Sequence, residues 1–460
     1  MAAQRIPRRM FGGVIGGTSL ILLNGASRAG ATAPSEQIRL GQIGLGARGF
    51  NLIDCFTRHA DCRIVAVCDV DRAHYRDRPW GKGRPYGREG GIERLSKAYA
   101  ARKSGTSAKD IVAYADYRDL LARDDLDAVI VATPDHWHAL ITWDSLRSGR
   151  DVYCEKPVTH LFAEGRTIVG ETARQQAVVQ VGSQQRSDPL FHRAVQLAKD
   201  GALGDIESIE VGLPAGYDKP QGSTEVVEPR PSHDYEFWCG PAPRLPLMRA
   251  RHHRWWRGHR AFGGGVLMDW IGHHNDIAQW AIGQDRNGPV HVEAGSWQFP
   301  DTDVYNTPQR YEILCEYDGG VTSSISDRHR QGLKIIGSDG WVYANRGRIE
   351  ASNPAWIANV SRKRGLLPHT VQHVRNFLDC VRSRQECAAP PAIAHRSITP
   401  GYLGYVSHEL QRPLVWDPVC EKVVDDAEAN RLLNEVRYRA PWQVPPAEPF
   451  PAAVESVKQS

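Results

Sequence analysis

The chain has 460 residues and a formal net charge of only +4, with 57 lysines and arginines set against 53 aspartates and glutamates. Basic and acidic residues are interspersed along the whole length, which argues against a nucleic acid or an anionic membrane as partner. The length is sufficient for two domains of ordinary size.

The first 33 residues have the pattern of an export signal. Arg8 and Arg9 precede a weakly apolar run at 14–23, and small residues at 29–33 suit a cleavage site. The run is shorter than the roughly 20 residues of a membrane-spanning helix, which disfavours an anchor and leaves a disordered basic tail as the other alternative. We therefore predict a twin-arginine signal peptide over 1–33 and a periplasmic or extracellular mature protein.

The nine cysteines are scattered along the chain without a C-x-x-C pair. A disulfide-stapled domain or a zinc site would space them in closer pairs. We therefore expect buried thiols and no zinc site.

A glycine-rich turn follows the first predicted strand and opens the first predicted helix. Gly44 allows the tight turn, Gly46 lets a pyrophosphate approach the backbone, and Gly49 lets helix and strand pack closely. The unpaired N–H groups at the helix start would face the phosphates. Arg48, within the turn, is a further candidate for cofactor contact. The pattern predicts a dinucleotide-binding site.

Asp69 closes the second predicted strand, 20 residues after Gly49. An acid there accepts hydrogen bonds from the adenosine ribose and would repel the 2′-phosphate of NADP, so we expect NAD. NADP stays open, because an insertion at 72–91 carries arginines that could pair with a phosphate. We expect this insertion to be a solvated loop or an arm that contacts a partner subunit.

Strands and helices alternate through the first half of the chain. The predicted strands are 38–43, 63–68, 111–114, 127–132 and 151–154, and the predicted helices are 50–58, 92–103, 117–123 and 139–148. The strands are apolar without alternation, which is typical of a parallel sheet buried on both faces. The pattern predicts an α/β Rossmann domain, a doubly wound parallel sheet, over 34–160.

Two predicted strands end in polar residues at the sheet edge where a dinucleotide lies. Thr133, Pro134 and His138 follow one strand, and Glu155 and Lys156 follow the next. We expect all five to contact the cofactor, and Lys156 to reach the substrate as well. His138 also forms a His-x-His pair, but no carboxylate or cysteine stands at ligand spacing, so we expect no metal.

In this order, the motifs resemble the Gfo/Idh/MocA family, which includes glucose–fructose oxidoreductase and inositol dehydrogenase. The resemblance rests on the glycine turn, the acid after the second strand, Thr-Pro-Asp-His-Trp-His at 133–138 and Glu-Lys-Pro at 155–157. It covers nearly all of the mature chain. It implies a nicotinamide cofactor, a small-molecule carbohydrate substrate and a homo-oligomer, either a dimer or a tetramer.

The strands after 205 change character, because apolar and polar residues now alternate as in half-buried antiparallel strands. They are predicted at 206–213, 291–299, 311–317, 321–326, 334–336 and 341–343. We expect an α+β domain over 161–440 with a large, mostly antiparallel open sheet. A flexible, proline-rich tail is predicted over 441–460.

One predicted helix interrupts these strands and carries Asp269, His273 and Asp276 on one face, at i, i+4 and i+7. A salt-bridged helix start would explain them, but acids and histidines are costly to bury without a task. The family resemblance implies that an Asp-x-x-x-His pair here meets the lysine of Glu-Lys-Pro. We therefore predict Lys156, Asp269 and His273 as the catalytic group, in which a histidine of ordinary pKa about 6.5 takes a hydroxyl proton and the lysine stabilises an alkoxide.

The stretch before this helix combines basic residues with two adjacent tryptophans. Indole rings match the C–H faces of a sugar and basic donors match its hydroxyls, although adjacent tryptophans also serve as packing. The predicted substrate contacts are Arg186, Tyr217, Trp255, Trp256 and Asp276.

The predicted compartment constrains the reaction, because an exported dehydrogenase meets little free NAD. We therefore predict a tightly bound cofactor. Two reactions fit: net oxidoreduction at a sugar or sugar-derivative hydroxyl, or transient oxidation that permits elimination, hydration and return of the hydride, which is net glycoside hydrolysis. Exported glycosidases of this fold carry Met-Glu-Val where Glu155, Lys156 and Pro157 stand, so oxidoreduction comes first. A cofactor-loaded binding protein without turnover is the remaining alternative, and the three predicted catalytic residues argue against it.

Overall fold

The computed structural model describes residues 36–77, 82–102, 110–358, 360 and 369–444. The predicted signal peptide (1–33) and most of the predicted tail lie outside these ranges. None of the helices within them is both long and apolar enough to cross a membrane. All nine cysteines fall within them as free thiols, and eight are buried.

A parallel sheet of six strands is the centre of the first half. Its strands are β1 (Ile38–Ile43), β2 (Cys62–Cys68), β5 (Val112–Tyr114), β6 (Ala128–Val131), β7 (Asp151–Cys154) and β8 (Val179–Val181). Two further strands, β3 (His74–Tyr75) and β4 (Pro85–Tyr86), form a separate small hairpin. The order across the sheet is β5-β2-β1-β6-β7-β8, and all neighbours are parallel. Every residue of β6 and β7 is buried, as expected for strands covered on both faces. The predicted Rossmann fold is confirmed.

The helices of this half are α1 (Ala47–Phe56), α2 (Gly87–Ala101), α3 (Tyr117–Leu121), α4 (His138–Arg147) and α5 (Phe162–Gln175). Helix α2 begins before the predicted start at 92. Its glycines permit this, because a Cβ on Gly90 or Gly91 would lie only 3.0 Å from Pro85 or Leu45. The insertion predicted as a loop therefore contains a hairpin and the first turn of a helix.

Strand β8 continues the parallel sheet beyond residue 160, where we expected the first domain to end. It pairs with β7, and α5 forms the crossover between the two strands. The sheet is therefore complete only at Val181.

A sheet of nine strands is the centre of the second half. Its strands are β9 (Ile206–Gly212), β10 (Pro289–Ala294), β11 (Glu312–Tyr317), β12 (Thr322–Ser326), β13 (Gly332–Gly337), β14 (Gly340–Asn345), β15 (Arg348–Ala351), β16 (Leu414–Asp417) and β17 (Lys422–Val423). The order is β15-β14-β13-β9-β12-β11-β10-β16-β17, and only the pair β9–β12 is parallel. The prediction of a large, mostly antiparallel sheet is confirmed.

The helices of the second half are α6 (Pro189–Lys199), α7 (Tyr235–Cys239), α8 (Gly265–Ala281), α9 (His369–Ser383), α10 (Pro391–Leu410) and α11 (Ala427–Leu433). Leu267 and Ile271 of α8 belong to the same apolar core as Val211 of β9 and Ile398 of α10. This packing fixes the rotation of α8, and with it the direction of Asp269 and His273.

Helix α9 packs against the parallel sheet although it comes late in the chain. The ring of Phe377 lies 6.3 Å from that of Phe56 and 5.7 Å from that of Tyr153. At the edge of this contact, Arg375 donates to the Asp61 carboxylate at 2.8 Å. The first half therefore has a helical layer supplied by the second.

The start of the predicted flexible tail is packed. The Trp442 ring centroid lies 4.9 Å from that of Trp137, and Val444 is buried in the same apolar cluster. The tail prediction therefore does not hold for 441–444, while 445–460 lie outside the described residues.

Candidate active site

A cavity of about 620 Å³ lies at the carboxyl ends of β1, β2 and β6, with the glycine turn in its wall. Gly44 has φ +94°, and a Cβ on it would lie 2.5 Å from the carbonyl oxygen of Ala132. Gly46 has only open space where a Cβ would stand, so the backbone is accessible to a phosphate. Gly49 lies behind the turn, where a Cβ would collide with the carbonyl oxygen of Gly44. The three glycines thus have the three roles that a dinucleotide turn needs.

Polar groups in the cavity wall suit a nucleotide. The Asp69 carboxylate accepts from the backbone N–H groups of Leu45 at 2.7 Å and Asp71 at 2.9 Å, which fixes it at the end of β2. Burial raises the pKa of this carboxyl. Thr133 Oγ1 is buried without a hydrogen-bond partner among the described residues, and Pro134 lines the wall beside it. This wall fits the predicted nicotinamide dinucleotide, because the Thr133 hydroxyl offers it a polar partner that the described residues leave unused.

Arg48 and Glu155 form an ion pair beside this wall. Arg48 Nη2 lies 2.8 Å from Glu155 Oε1, and Gln184 Nε2 donates to the same oxygen at 2.9 Å. Burial lowers the pKa of the Arg48 guanidinium, but the Glu155 charge outweighs it and keeps this pKa above its usual range. Arg48 lines the cavity. Glu155 is therefore placed to hold Arg48 and not to exchange protons.

Lys156 and Asp269 meet, although 113 residues separate them in the chain. Lys156 Nζ donates to Asp269 Oδ1 at 2.5 Å and to the backbone carbonyl oxygen of Asp269 at 2.7 Å. Lys156 follows β7 and Asp269 lies in the first turns of α8, so the contact joins the two halves of the molecule.

Arg257 is a second cation on the same carboxylate, and the sequence analysis did not single it out. Its Nε lies 3.0 Å from Asp269 Oδ1, and it lines the cavity. Burial alone would raise the pKa of Asp269, but the charges of Arg257 and Lys156 outweigh it and hold this pKa well below its usual range. Asp269 is therefore ionised and linked to the cavity through Arg257.

His273 lies one turn further along α8, and its Nδ1 has no hydrogen-bond partner among the described residues. Burial, and then the charge of Lys156, lower the pKa of this imidazole well below its usual value. The Asp269 carboxylate, one turn earlier on the same helix, is engaged by Lys156 and Arg257. His273 is thus a buried, neutral imidazole with an available nitrogen.

Asp135 is a second residue that the sequence analysis did not single out, although it lies inside the motif at 133–138. It is buried, and its Oδ2 has no hydrogen-bond partner in the described part of the chain. Burial raises its pKa to about 7, and the charge of Arg257 opposes this. The site therefore contains two carboxyls with different protonation: Asp135 titrates near neutrality, whereas Asp269 stays ionised.

Of the three aromatic residues predicted to contact the substrate, one lines the cavity and two lie outside its lining. Trp256 is buried, lines the cavity and has the Arg257 guanidinium carbon 4.1 Å from its ring centroid. Tyr217 and Trp255 meet edge-on with ring centroids 5.8 Å apart, outside the cavity lining. Tyr217 is near enough to influence the Arg257 guanidinium, so this aromatic pair borders the site.

His138 is not placed in the cavity. Its Nδ1 lies 2.6 Å from the carbonyl oxygen of Pro157 and its Nε2 lies 2.9 Å from that of Thr133. Both ring nitrogens are thus turned to the backbone that follows β6 and β7. The structure gives His138 the role of joining these two strand ends, in place of the expected cofactor contact.

Arg186 and Asp276 do not reach the cavity either, because they form a buried pair. Arg186 Nε lies 2.8 Å from Asp276 Oδ2, and Arg186 Nη2 lies 3.0 Å from Asp285. The side chains of Arg186 and Asp276 are 4% and 1% exposed, so neither is available to a substrate. Asp276 shares a helix with Asp269, but its partners are structural.

Two family descriptions match the chain. One is "Oxidoreductase family, NAD-binding Rossmann fold", over residues 38–183, and the other is "Oxidoreductase family, C-terminal alpha/beta domain", over residues 193–444; both carry the name GFO_IDH_MocA. Together they cover both sheets and the site residues Lys156, Arg257, Asp269 and His273.

Curated relatives match over shorter stretches. The chain is 31% identical over 170 residues to inositol 2-dehydrogenase 1 of Saccharopolyspora erythraea, which is 36% of this chain and 43% of the relative. It is 31% identical over 154 residues to alpha-N-acetylgalactosaminidase of Shewanella oneidensis, which is 33% of this chain and 30% of the relative. The matched stretches thus span less than half of these relatives.

Solved structures match over most of the chain. The WlbA dehydrogenase from Bordetella pertussis, solved in complex with NADH and UDP-GlcNAcA, has a TM-score of 0.59 and 17% identity. The match covers 82% of this chain and 97% of that one. The likeness shows that the fold is shared.

Proposed function

The chain belongs to the Gfo/Idh/MocA family of oxidoreductases, and from this premise we propose that it transfers hydride between a hydroxyl-bearing carbon of a carbohydrate and a tightly bound nicotinamide cofactor. The observation that carries the proposal is the contact of Lys156 with Asp269. It places an ammonium group, a carboxylate and the cavity-lining Arg257 in one chain of contacts beside the nucleotide site.

Each charged group has a distinct task in this proposal. Asp269 stays ionised and holds Lys156 in place through its carboxylate and its backbone carbonyl. The remaining N–H donor of Lys156 can then stabilise negative charge on the substrate oxygen. His273, which is neutral, can accept the hydroxyl proton on its available nitrogen. When bound, the nicotinamide ring supplies the acceptor for the hydride that leaves the same carbon.

The carbohydrate class follows from the chemistry of the site border. Trp256 and Arg257 both line the cavity, and an indole ring and a fork of N–H donors match the C–H face and the hydroxyl edge of a sugar. The similarity to inositol 2-dehydrogenase 1 also supports a polyol or sugar substrate.

We also propose that the protein is exported and that it binds its nicotinamide cofactor tightly. The support for both is the pattern of residues 1–33, since a protein that folds before export can carry its nucleotide with it. NAD is preferred to NADP because Asp69 lines the cavity at the end of β2, where a 2′-phosphate would meet a like charge.

A second candidate function is redox-neutral glycoside cleavage, and the match to alpha-N-acetylgalactosaminidase favours it. In this scheme hydride leaves the sugar, the adjacent C–H becomes acidic, the aglycone is eliminated as an alcohol, water adds, and hydride returns to the same carbon. The cofactor is regenerated and no external oxidant is consumed.

The deciding experiment starts from the purified mature protein. Denaturation should release a nucleotide whose mass is that of NAD or NADH. The intact protein should then show a change in absorbance near the nicotinamide band when the right free sugar or polyol is added. Release of free sugar from a glycoside without any added carbonyl acceptor would favour the second function. A bound nucleotide that no sugar, polyol or glycoside reduces would leave only a binding protein and contradict both functions.

A further inference from the structure

A group of four histidines surrounds Asp71 on one wall of the cavity. We call it the histidine cluster, and its members are Asp71, His74, His233, His252 and His253. His74 and His253 are stacked with ring centroids 3.9 Å apart. The mechanism proposed above uses none of these side chains.

The cluster has the dimensions of a metal site. Asp71 Oδ2 lies 3.3 Å from His74 Nδ1 and 3.6 Å from His253 Nε2. One ligand atom from each of the three residues lies within 4.8 Å of the others. Neighbouring ligands around a tetrahedral zinc ion with bonds of about 2.1 Å stand roughly 3.4 Å apart, so small rotations of these side chains would centre them on one ion.

The donor atoms are also unused. His74 Nδ1, His253 Nε2 and Asp71 Oδ1 are buried without a hydrogen-bond partner among the described residues. Nearby, both ring nitrogens of His233 are in the same state, and this side chain is only 2% exposed. Buried polar atoms are normally paired, so several unpaired atoms facing one carboxylate point to a missing partner.

One cation already beside the carboxylate can move away from it. Arg230 lies 3.1 Å from Asp71, but its side chain is 56% exposed and can turn to solvent when a cation takes its place.

We infer that Asp71, His74 and His253 bind one divalent ion of the first transition row, with water in the remaining position. Two imidazoles and one carboxylate suit Zn²⁺ or Fe²⁺, whereas Mg²⁺ and Ca²⁺ prefer ligand sets made of oxygen alone. This inference departs from the expectation of no metal, which considered only the cysteines and the His-x-His pair.

The ion would join two segments that are far apart in the chain. Asp71 and His74 belong to the segment that follows β2, and His253 belongs to the segment that precedes α8. The two segments already touch, because Arg72 N donates to the carbonyl oxygen of Ser232 at 2.8 Å. A bound ion would therefore fasten the second half of the chain over the cavity of the first, whatever reaction occurs there.

The test uses the full-length mature protein without a histidine tag. After chelation and dialysis, one equivalent of Zn²⁺ per chain should bind, measured by elemental mass spectrometry, and should raise the melting temperature. Co²⁺ in its place should give visible absorption bands of a nitrogen- and oxygen-ligated ion, which Zn²⁺ abolishes. A parallel anaerobic titration with Fe²⁺ identifies the preferred ion, and Mg²⁺ is expected not to bind.

Variants locate the site. His74→Ala and His253→Ala should each weaken Zn²⁺ binding by more than about 100-fold, since even outer partners of a metal site contribute about 10- to 100-fold. His291→Ala, an exposed histidine on β10, is the matched control and should bind as the parent does. Absence of a Co²⁺ spectrum in the parent, or unchanged binding in both cluster variants, would overturn the inference. The parent spectrum decides the question even if a variant does not fold.

Discussion

The ammonium group of Lys156 donates to Asp269 twice, to the carboxylate at 2.5 Å and to the backbone carbonyl oxygen at 2.7 Å. Because one of these bonds ends on the backbone of α8, the position of the lysine depends on the helix as well as on the aspartate side chain. An ordinary side-chain ion pair would be free to move as a unit. Here the lysine is fixed relative to His273, one turn along the same helix.

Removing the lysine should abolish most of the activity and leave the nucleotide bound. We expect Lys156→Ala to lower kcat/KM by about 10²- to 10³-fold, the range for the loss of one donor to a developing oxyanion. Nucleotide content, measured after denaturation, should stay near that of the parent, because the glycine turn and Asp69 are unchanged. Lys97→Ala, which removes an exposed lysine on α2 that pairs with Glu93, is the control. Full activity in Lys156→Ala would contradict the assignment.

Asp269 neutralises two cations, so the effect of replacing it on the free energy of unfolding should depend on whether those cations are present. Asp269→Asn leaves Lys156 and Arg257 without their shared counter-charge, and an uncompensated buried charge costs about 3–5 kcal/mol. The partial exposure of both cations reduces that cost here. The double variant Asp269→Asn/Arg257→Ala should lose less stability than the two single variants added together. Denaturant unfolding of the three proteins measures the difference, and strict additivity would show that Arg257 does not depend on Asp269.

Gly46 and Gly49 should respond in opposite ways to a larger side chain. Gly46→Val should remove the bound nucleotide and keep the melting temperature of the nucleotide-free parent, because the new side chain has open space inside the cavity and strains no neighbour. Gly49→Ala should destabilise the fold, because the new methyl group meets the carbonyl oxygen of Gly44. Thermal unfolding and nucleotide content, measured on both variants, form a crossed control. A Gly46→Val protein that keeps its nucleotide would place the cofactor elsewhere.

Asp135 should appear in the pH dependence of the reaction. Its pKa of about 7 means that it gains a negative charge near Lys156 and Arg257 as the pH rises through neutrality. We expect an inflection near pH 7 in the profile of kcat/KM for the parent, and its absence in Asp135→Asn. Asp124→Asn, an exposed aspartate, should keep the parent profile. The same inflection in Asp135→Asn would assign it to another group.

The folded protein should lose stability in mild acid. Burial lowers the pKa of His136, His274 and His373 to about 4, whereas the unfolded chain protonates its histidines near the ordinary value of about 6.5. Between these values the unfolded state binds more protons, so each histidine destabilises the fold by about 1.4 kcal/mol per pH unit as the pH falls.

Two buried carboxyls act in the opposite direction. The pKa values of Asp135 and Glu164 are raised to about 7, so the folded state takes up their protons first and gains stability as the pH falls below 7. The lowered histidines outnumber these two carboxyls, and the net result should be a falling melting temperature from pH 7 to pH 5. A higher melting temperature at pH 5 than at pH 7 would contradict this balance.

Local patterns were sufficient for the parts of the site that short segments determine. The turn from Gly44 to Gly49 and the polar ends of β6 and β7 are all written in runs of a few residues. The meeting of Lys156 with Asp269 had a different basis, since only the family resemblance connected residues so far apart. Spacing along α8 grouped Asp276 with Asp269 and His273. That spacing could not show that Asp276 forms a buried ion pair with Arg186.

Arg257, Asp135 and the histidine cluster were not predicted, because their roles depend on contacts that leave no pattern in the neighbouring sequence. Arg257 lies in a stretch that was noted for its tryptophans, and its partner, Asp269, is on a separate element. Asp135 resembles any helix-start aspartate until burial raises its pKa. The histidine cluster is formed by two segments that are far apart in the chain, one after β2 and one before α8. The sequence of neither segment indicates that it contacts the other. Such groupings are consequences of the tertiary fold and become visible only with it.

Helix α9 has a consequence for how this chain comes to be folded. Its Val371, Val374 and Phe377 complete the apolar cluster beneath the parallel sheet, yet they are synthesised after seven of the nine strands of the second sheet. A nascent chain that ends at residue 183 would have the whole nucleotide sheet but would leave Phe56 and Tyr153 without this cover. The apolar cluster of the nucleotide half is therefore completed only after α9 has been synthesised.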